Sequence, residues 1–303
     1  MNEHIKIFLD YLLYERALSN HTVQAYKNDL EHFFCWLLSN KINELNSVEH
    51  FHIRGYLAYI FNDYKNVSVA RRLSAIKSWL KFLVQRGIIK SSPADLIESP
   101  KVSKPLPKPV TLEEAFALCD APSEIVDDPL FIRNQAICEL LYACGLRISE
   151  LSELNIDDID LSNKLVKVMG KGKKERIVPF HDLCQRVLLV YLEKSRIFFV
   201  KDSNEKALFL GEKGKRIDPR IVRLMLSDLG KKLNVNKNMH PHRFRHAFAS
   251  HMLESGADLR GIQELMGHRS IATTERYTEI DLSSLMKQYD NAHPHAKKKV
   301  CLE

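Results

Sequence analysis

The sequence contains no CxxC pair, no G-x-x-x-x-G-K-S/T loop and no H-E-x-x-H segment, and no apolar run approaches the roughly 18 residues of a membrane span. These gaps argue against a cysteine-ligated zinc module, a P-loop nucleotide site, a zincin and a helical membrane protein. The six cysteines, at 35, 119, 138, 144, 184 and 301, mostly sit inside apolar helical runs and read as reduced core thiols of a cytoplasmic protein. Cys301 is third from the end, out of place for a prenylation box. The first residues, MNEHIKIFLDYLLYER, carry acidic groups and no small-residue cleavage site, which speaks against a signal peptide. Internal repeats are missing too, and the only low-complexity stretch is the basic run Lys297–Lys299.

What is present is ordinary globular composition, 45% hydrophobic and 27% charged, in 303 residues, enough for two domains with their own cores. A net charge of +7 allows nucleic acid as a partner without requiring it. Residues 2–90 predict four helices by their three-and-four apolar spacing, the second capped by Ser19 or Asn20. The fourth, SVARRLSAIKSWLKFLVQRG, ends at Gly87 and is expected to carry Arg71, Arg72, Lys77 and Lys81 on a polar face. A solvated face is the plain reading of such charges; a DNA-facing stripe is the functional one. SPKVSKPLPKPVT, with prolines at 100, 105, 107 and 109, forbids helix and predicts an extended linker. The domains therefore fall at 1–98 and 110–303, joined by residues 99–109. Thr111 and Glu114 then form a T-x-x-E box opening a new helix.

In the second domain, helices are expected at about 111–120, 128–144 and 219–232, the second ended by Gly145. Arg147 follows at once, in GLRISELSEL. From 164 to 180 the apolar period changes to two, predicting strands LVKVMG and RIVPF joined by GKGKKE, with Lys171, Lys173 and Lys174 at the tip. LFLG at 208–211 is expected to add a third strand. The fold class is thus mainly α with a small antiparallel sheet.

The densest chemistry lies between His240 and Tyr277. His240, His242, Arg243, Arg245 and His246 open a helix, a second helix stops at Gly267, His268 follows, and Tyr277 lies nine residues beyond it. Guanidinium forks fit phosphate oxygens, imidazole exchanges protons near neutrality, and a phenol beside cations can act as a nucleophile. That set suggests covalent attack on a phosphodiester. Metal binding by His242 and His246 at i,i+4 is the competing reading, opposed by Arg243 and Arg245, which would repel a dication. No metal or other cofactor is therefore expected.

Taken in order, these segments resemble the tyrosine site-specific recombinases of the bacterial Xer type, along essentially the whole sequence. GLRISEL matches the family's arginine segment at Arg147, GKGKKER its hairpin lysine at Lys171, HRFRH its histidine and arginine at His242 and Arg245, and MGH its second histidine at His268, with Tyr277 nine residues on. Phe244, Met266 and Arg269 depart from the usual residues without removing a functional group, and Arg269 stands where it would alter phosphate contacts beside His268. The resemblance implies an N-terminal four-helix DNA clamp and a C-terminal catalytic domain. It implies that Tyr277 forms a 3′-phosphotyrosine, that Arg147, Arg245, His242 and His268 hold the non-bridging oxygens, and that Lys171 protonates the leaving 5′-oxygen, with neither ATP nor metal. It further implies DNA contacts from Arg71, Arg72, Lys77, Lys81, Lys173, Lys174, Arg243 and Arg269. The partners implied are duplex DNA with inverted half-sites, a tetramer on two sites formed alone or with a paralogous recombinase, and an accessory ATPase. Through a Holliday junction such an enzyme resolves chromosome or plasmid dimers at a dif-like site. Integration of a mobile element and type IB topoisomerase-like relaxation are the alternatives, and a silent DNA-binding protein would have lost one of the six residues. The tail after Tyr277 is expected to dock on a neighbouring protomer, as in the family, with packing on its own domain as the other option.

Overall fold

The computed structural model describes residues 2–16, 18–100, 110–119, 128–170, 174–233, 239, 241–267 and 279–297. The chain divides into two compact units, Met1–Leu106 and Pro107–Glu303. The proline-rich residues 101–109 lie outside the described residues.

Unit 1 is built from four helical segments. α1 (Asn2–Asp10) runs on through a wider turn, Tyr11–Glu15, and is followed by α2 (Asn20–Ser39), α3 (His50–Phe61) and α4 (Asn66–Gln85). Ser19 caps α2 by accepting the Thr22 N–H at 3.3 Å. Apolar residues at three-and-four spacing, among them Phe8, Leu30, Phe33, Ile53, Ile76, Trp79 and Leu83, form one core. One expectation for α4 needs correction. Arg72 is not on a solvated face: it is buried, donates to Tyr56 Oη at 3.1 Å, lies 3.8 Å from Asp29 and stacks over the Tyr64 ring at 4.1 Å. Burying a guanidinium demands such partners, and Asp29 supplies the charge. Asp29 also pairs with the half-exposed Arg71, Lys77 donates to the Ile97 carbonyl, and Lys81 is exposed.

Unit 2 is organised around α6 (Pro129–Cys144). Its C-terminal half, AICELLYAC, has no polar face apart from Glu139, and every residue from Ala136 to Cys144 is buried. α5 (Leu112–Cys119) packs on it after the Thr111–Glu114 box, whose two reciprocal bonds measure 3.1 and 3.2 Å. α6 ends where Gly145 turns left-handed at φ 57°. A Cβ at that glycine would lie 2.5 Å from the Phe248 ring, so glycine is required twice over. α7 (Ile148–Glu153) follows.

The sheet has three antiparallel strands in chain order, β1 (Ile159–Asp160), β2 (Leu165–Met169) and β3 (Glu175–Pro179). Val166 pairs with Val178 and Val168 with Arg176. The third strand is thus 159–160 and not LFLG at 208–211, where Leu210 makes a single bridge to Arg216 and the preceding Ala207 one to Asn155. Next comes a helical run that is not among the helices expected from the sequence, α8 (Asp182–Val190), a wide turn Tyr191–Ser195, and α9 (Arg196–Phe199). α10 (Pro219–Lys232), α11 (Pro241–Glu254), α12 (Leu259–Met266), α13 (Glu279–Ala292) and α14 (Pro294–Lys297) complete the unit.

The end of the chain packs on its own unit. α13 meets β3 and α14 meets α8. Tyr289 is buried and donates its hydroxyl to the Ala143 carbonyl at 2.8 Å, while His293 and His295 are buried behind it. The tail expected to dock on a neighbour therefore contributes core residues in cis. No described helix is long and apolar enough to cross a membrane.

Candidate active site

Arg147 owes its position to two helix ends. The left-handed turn at Gly145 stops α6, and Arg147 is then the residue before the first turn of α7, in extended conformation. Its backbone N–H donates to Glu150 Oε2 at 2.9 Å and its Nη1 to Glu150 Oε1 at 2.6 Å, so the residue is tied at both ends while its side chain stays 36% exposed. An arginine anchored in this way presents its remaining donors outward in one orientation.

Glu150 does more than cap. It is buried, and Arg176 from β3 grips it with a fork, Nη1 to Oε1 at 3.0 Å and Nη2 to Oε2 at 2.8 Å. Burial would raise this carboxyl, but the hydrogen bonds and charge of Arg176, with those of Arg147, outweigh it and hold it below the ordinary carboxylate range. Arg245, on the second turn of α11, brings Nη1 to 3.9 Å from Glu150 Oε2. Its Nη1 also donates to the Gly145 carbonyl at 2.7 Å, and its Nη2 to the Met266 carbonyl. Burial, followed by repulsion from Arg147, pushes its pKa down to about 10, with Glu150 resisting the fall. It remains a cation at neutral pH.

Arg176 reaches a third element. Its Nε donates to the Leu265 carbonyl at 2.8 Å, and its guanidinium lies against Gly267, where an added Cβ would stand 3.2 Å from Nη1. Gly267 ends α12 at φ 64°, so the chain leaves toward position 268 from a left-handed turn braced by Arg176. The structure thus joins Arg147, Arg245 and the end of α12 around one buried carboxylate. His242 lies on the first turn of α11, one turn before Arg245, and is exposed; Arg243 is buried. Lys174 is exposed at the base of the β2–β3 connection, its carbonyl accepting the Gly170 N–H at 2.7 Å. Lys171, Lys173, His240, His268, Arg269 and Tyr277 lie outside the described residues. Arg71, Arg72, Lys77 and Lys81 belong to unit 1, with Arg72 turned inward as described.

Sequence reasoning missed Glu150 and Arg176. Both had a local signal. Glu150 stands three residues after Arg147, the position from which a helix-capping carboxylate reaches back. Arg176 shares the β3 face of buried Val178, so strict alternation assigns it to the core side.

Residues 108–283 match the model of the phage integrase family, and residues 5–87 match its N-terminal SAM-like domain. Tyrosine recombinase XerC of Thermodesulfovibrio yellowstonii is 43% identical over 298 residues, covering 97% of each chain. Tyrosine recombinase XerD of Staphylococcus epidermidis is 36% identical over 297 residues, 98% of this chain and all of that one. Among solved structures, a lambda integrase dimer bound to a COC′ core site superposes with a TM-score of 0.69 at 17% identity, covering 89% of this chain and 95% of that one. That last likeness concerns the fold.

Proposed function

Because this chain belongs to the phage integrase family of tyrosine recombinases, enzymes that cut and rejoin DNA, we propose that it recombines two duplexes through a 3′-phosphotyrosine at Tyr277. The observation that carries this reading is the convergence of Arg147 and Arg245 on Glu150 at the joined ends of α6, α7 and α12. Two guanidiniums fixed before substrate arrives suit the negative charge that builds on a phosphate's non-bridging oxygens during in-line attack. His242 and His268 add donors to those oxygens, and His242 takes the phenol proton. Lys171 protonates the departing 5′-oxygen. Phosphorus keeps its bond to the 3′-oxygen and exchanges its bond to the 5′-oxygen for one to Tyr277, so a 5′-hydroxyl from the second duplex can displace the tyrosine and reseal the strand without ATP. Arg71, Lys77, Lys81, Lys173, Lys174, Arg243 and Arg269 contact the DNA backbone in this reading, and Arg72 acts by holding α4 rather than by touching phosphate.

The biological assignment extends this reading: a tetramer on two sites with inverted half-sites, exchange through a Holliday junction, and resolution of chromosome or plasmid dimers at a dif-like sequence. The XerC and XerD names of the full-length relatives support it. A nicked suicide substrate drawn from the replication-terminus region of the source replicon tests it. Wild-type protein should form a covalent adduct stable to denaturing electrophoresis, and Tyr277→Phe should form none while binding DNA as before. An adduct that persists in Tyr277→Phe moves the nucleophile elsewhere.

A further inference from the structure

Away from the arginines, unit 2 encloses a second group of chemistry-bearing side chains. Glu139 of α6, His181 at the start of α8 and His295 of α14 are all buried to 2% exposure or less, and one donor atom from each lies within 4.8 Å of the others. His181 Nε2 and His295 Nδ1 both stand 3.3 Å from Glu139 Oε1, the second as a hydrogen bond. Among the described residues, Glu139 Oε2, His181 Nε2 and His295 Nε2 have no hydrogen-bond partner. His181 Nε2 is near enough to Glu139 for a hydrogen bond but lacks the alignment of one. Three polar groups from three elements have been brought out of water and left under-satisfied, which is costly unless something binds them together.

The geometry points to a divalent transition-metal site held by Glu139, His181 and His295, with zinc as the ion whose chemistry it fits. Ligand bonds of 2.0–2.1 Å at tetrahedral angles place neighbouring donor atoms about 3.3–3.4 Å apart. Both donor separations at Glu139 Oε1 have that value. Two imidazoles and one carboxylate suit zinc and other late first-row divalent ions, whereas magnesium and calcium prefer oxygen throughout. The exposed pair His242 and His246 has no such burial and stands beside cationic Arg243 and Arg245.

One feature of the site opposes the ion. His181 Nδ1 accepts the Cys184 N–H at 3.3 Å, and metal at Nε2 requires a proton on Nδ1. Metal at His295 Nδ1 and Glu139 Oε1 also replaces the hydrogen bond between them, so binding breaks two long hydrogen bonds and makes three coordinate bonds. The His293 ring lies 4.8 Å from that of His181, and His293 Nδ1 accepts the His295 N–H at 3.3 Å, which fixes the backbone that presents His295. Enclosure on all sides makes the ion structural: it would pin α14 to α6 and α8, joining the end of the chain to the helix that leads into Arg147.

The test uses the full chain, stripped with chelator and titrated with zinc alone and with cobalt alone, read by native mass spectrometry, calorimetry and the visible d–d bands of tetrahedral cobalt. One ion per chain is expected, with a rise in melting temperature. His295→Arg keeps a hydrogen-bond donor for Glu139 but removes a ligand, and it should weaken binding by at least about 100-fold while the variant still melts cooperatively. Glu139→Gln should weaken binding in the same direction, and it serves if His295→Arg does not fold. No binding by the wild-type chain, or equal binding by a folded variant, overturns the site.

Discussion

Replacing Arg176 with methionine removes a side chain that, on the proposed reading, touches no substrate, and should nevertheless slow DNA cleavage. The substitution deletes both hydrogen bonds to Glu150 and the bond to the Leu265 carbonyl. Glu150 keeps its bonds to Arg147, so its charge is only partly stranded, and the loss belongs at the lower end of the range for a broken buried pair, about 3 kcal/mol. In a unit of this size that corresponds to a fall in Tm of roughly 6–12 °C. Calorimetry is the right measurement, because both tryptophans, Trp36 and Trp79, lie in unit 1 and fluorescence would report the wrong unit. The double variant with Glu150→Gln removes the stranded charge as well, so the two losses should fall short of additivity by about 1–3 kcal/mol. Below the unfolding transition, single-turnover adduct formation should slow by about 100-fold as Arg147, Arg245 and the end of α12 lose their common strut, with half-site affinity nearly unchanged. Arg176→Lys, which restores charge without the fork, should recover only part of that rate. Additive stability losses, with cleavage falling only in step with binding, would refute the strut.

Lys171→Ala should slow cleavage of a normal 5′-oxygen leaving group far more than that of a 5′-bridging phosphorothiolate; equal slowing on both would leave the lysine as a DNA contact. Gly145→Ala should destabilise unit 2 by about 2 kcal/mol or more, through its positive φ and its clash with Phe248, as a calorimetric melt would show. The Glu150 carboxyl has a depressed pKa in the folded chain, so its contribution to stability is complete above the ordinary carboxylate range and is lost as pH falls through the depressed value. Denaturant melts from pH 6 downward should therefore show a shallower acid loss in Glu150→Gln than in wild type.

Local pattern carried much of this architecture. Three-and-four spacing marked the four helical segments of unit 1, and alternation marked β2 and β3. It failed where partners are distant in sequence. Arg72 looks like a surface residue within α4, and only Asp29 and Tyr56, 43 and 16 positions away (72 − 29 = 43; 72 − 56 = 16), make its burial tolerable. LFLG has strand composition, but Leu210 makes an isolated bridge to Arg216 in place of a ladder. At the candidate site, Arg147, His242 and Arg245 stood out because cations beside histidines suggest phosphate. Glu150 and Arg176 did not, since a charged residue is assigned to solvent by default and their pairing spans 26 positions. His295 looked like part of a polar tail, and its burial depends on the whole of unit 2 closing around α14.

The carbonyls of Gly145, Leu265 and Met266 belong to residues at or just past the last turns of α6 and α12, where intrahelical donors have run out. Arg245 and Arg176 supply those missing donors, so the guanidiniums serve as the C-terminal caps of two helices as well as forming the cationic cluster. A helix end is negative, so each cap is attractive along its dipole too. Truncating Arg245 to alanine would therefore fray α6 and α12 in the same stroke that removes a proposed phosphate ligand. The low activity of such a variant could not be divided between catalysis and folding without its melting curve beside it.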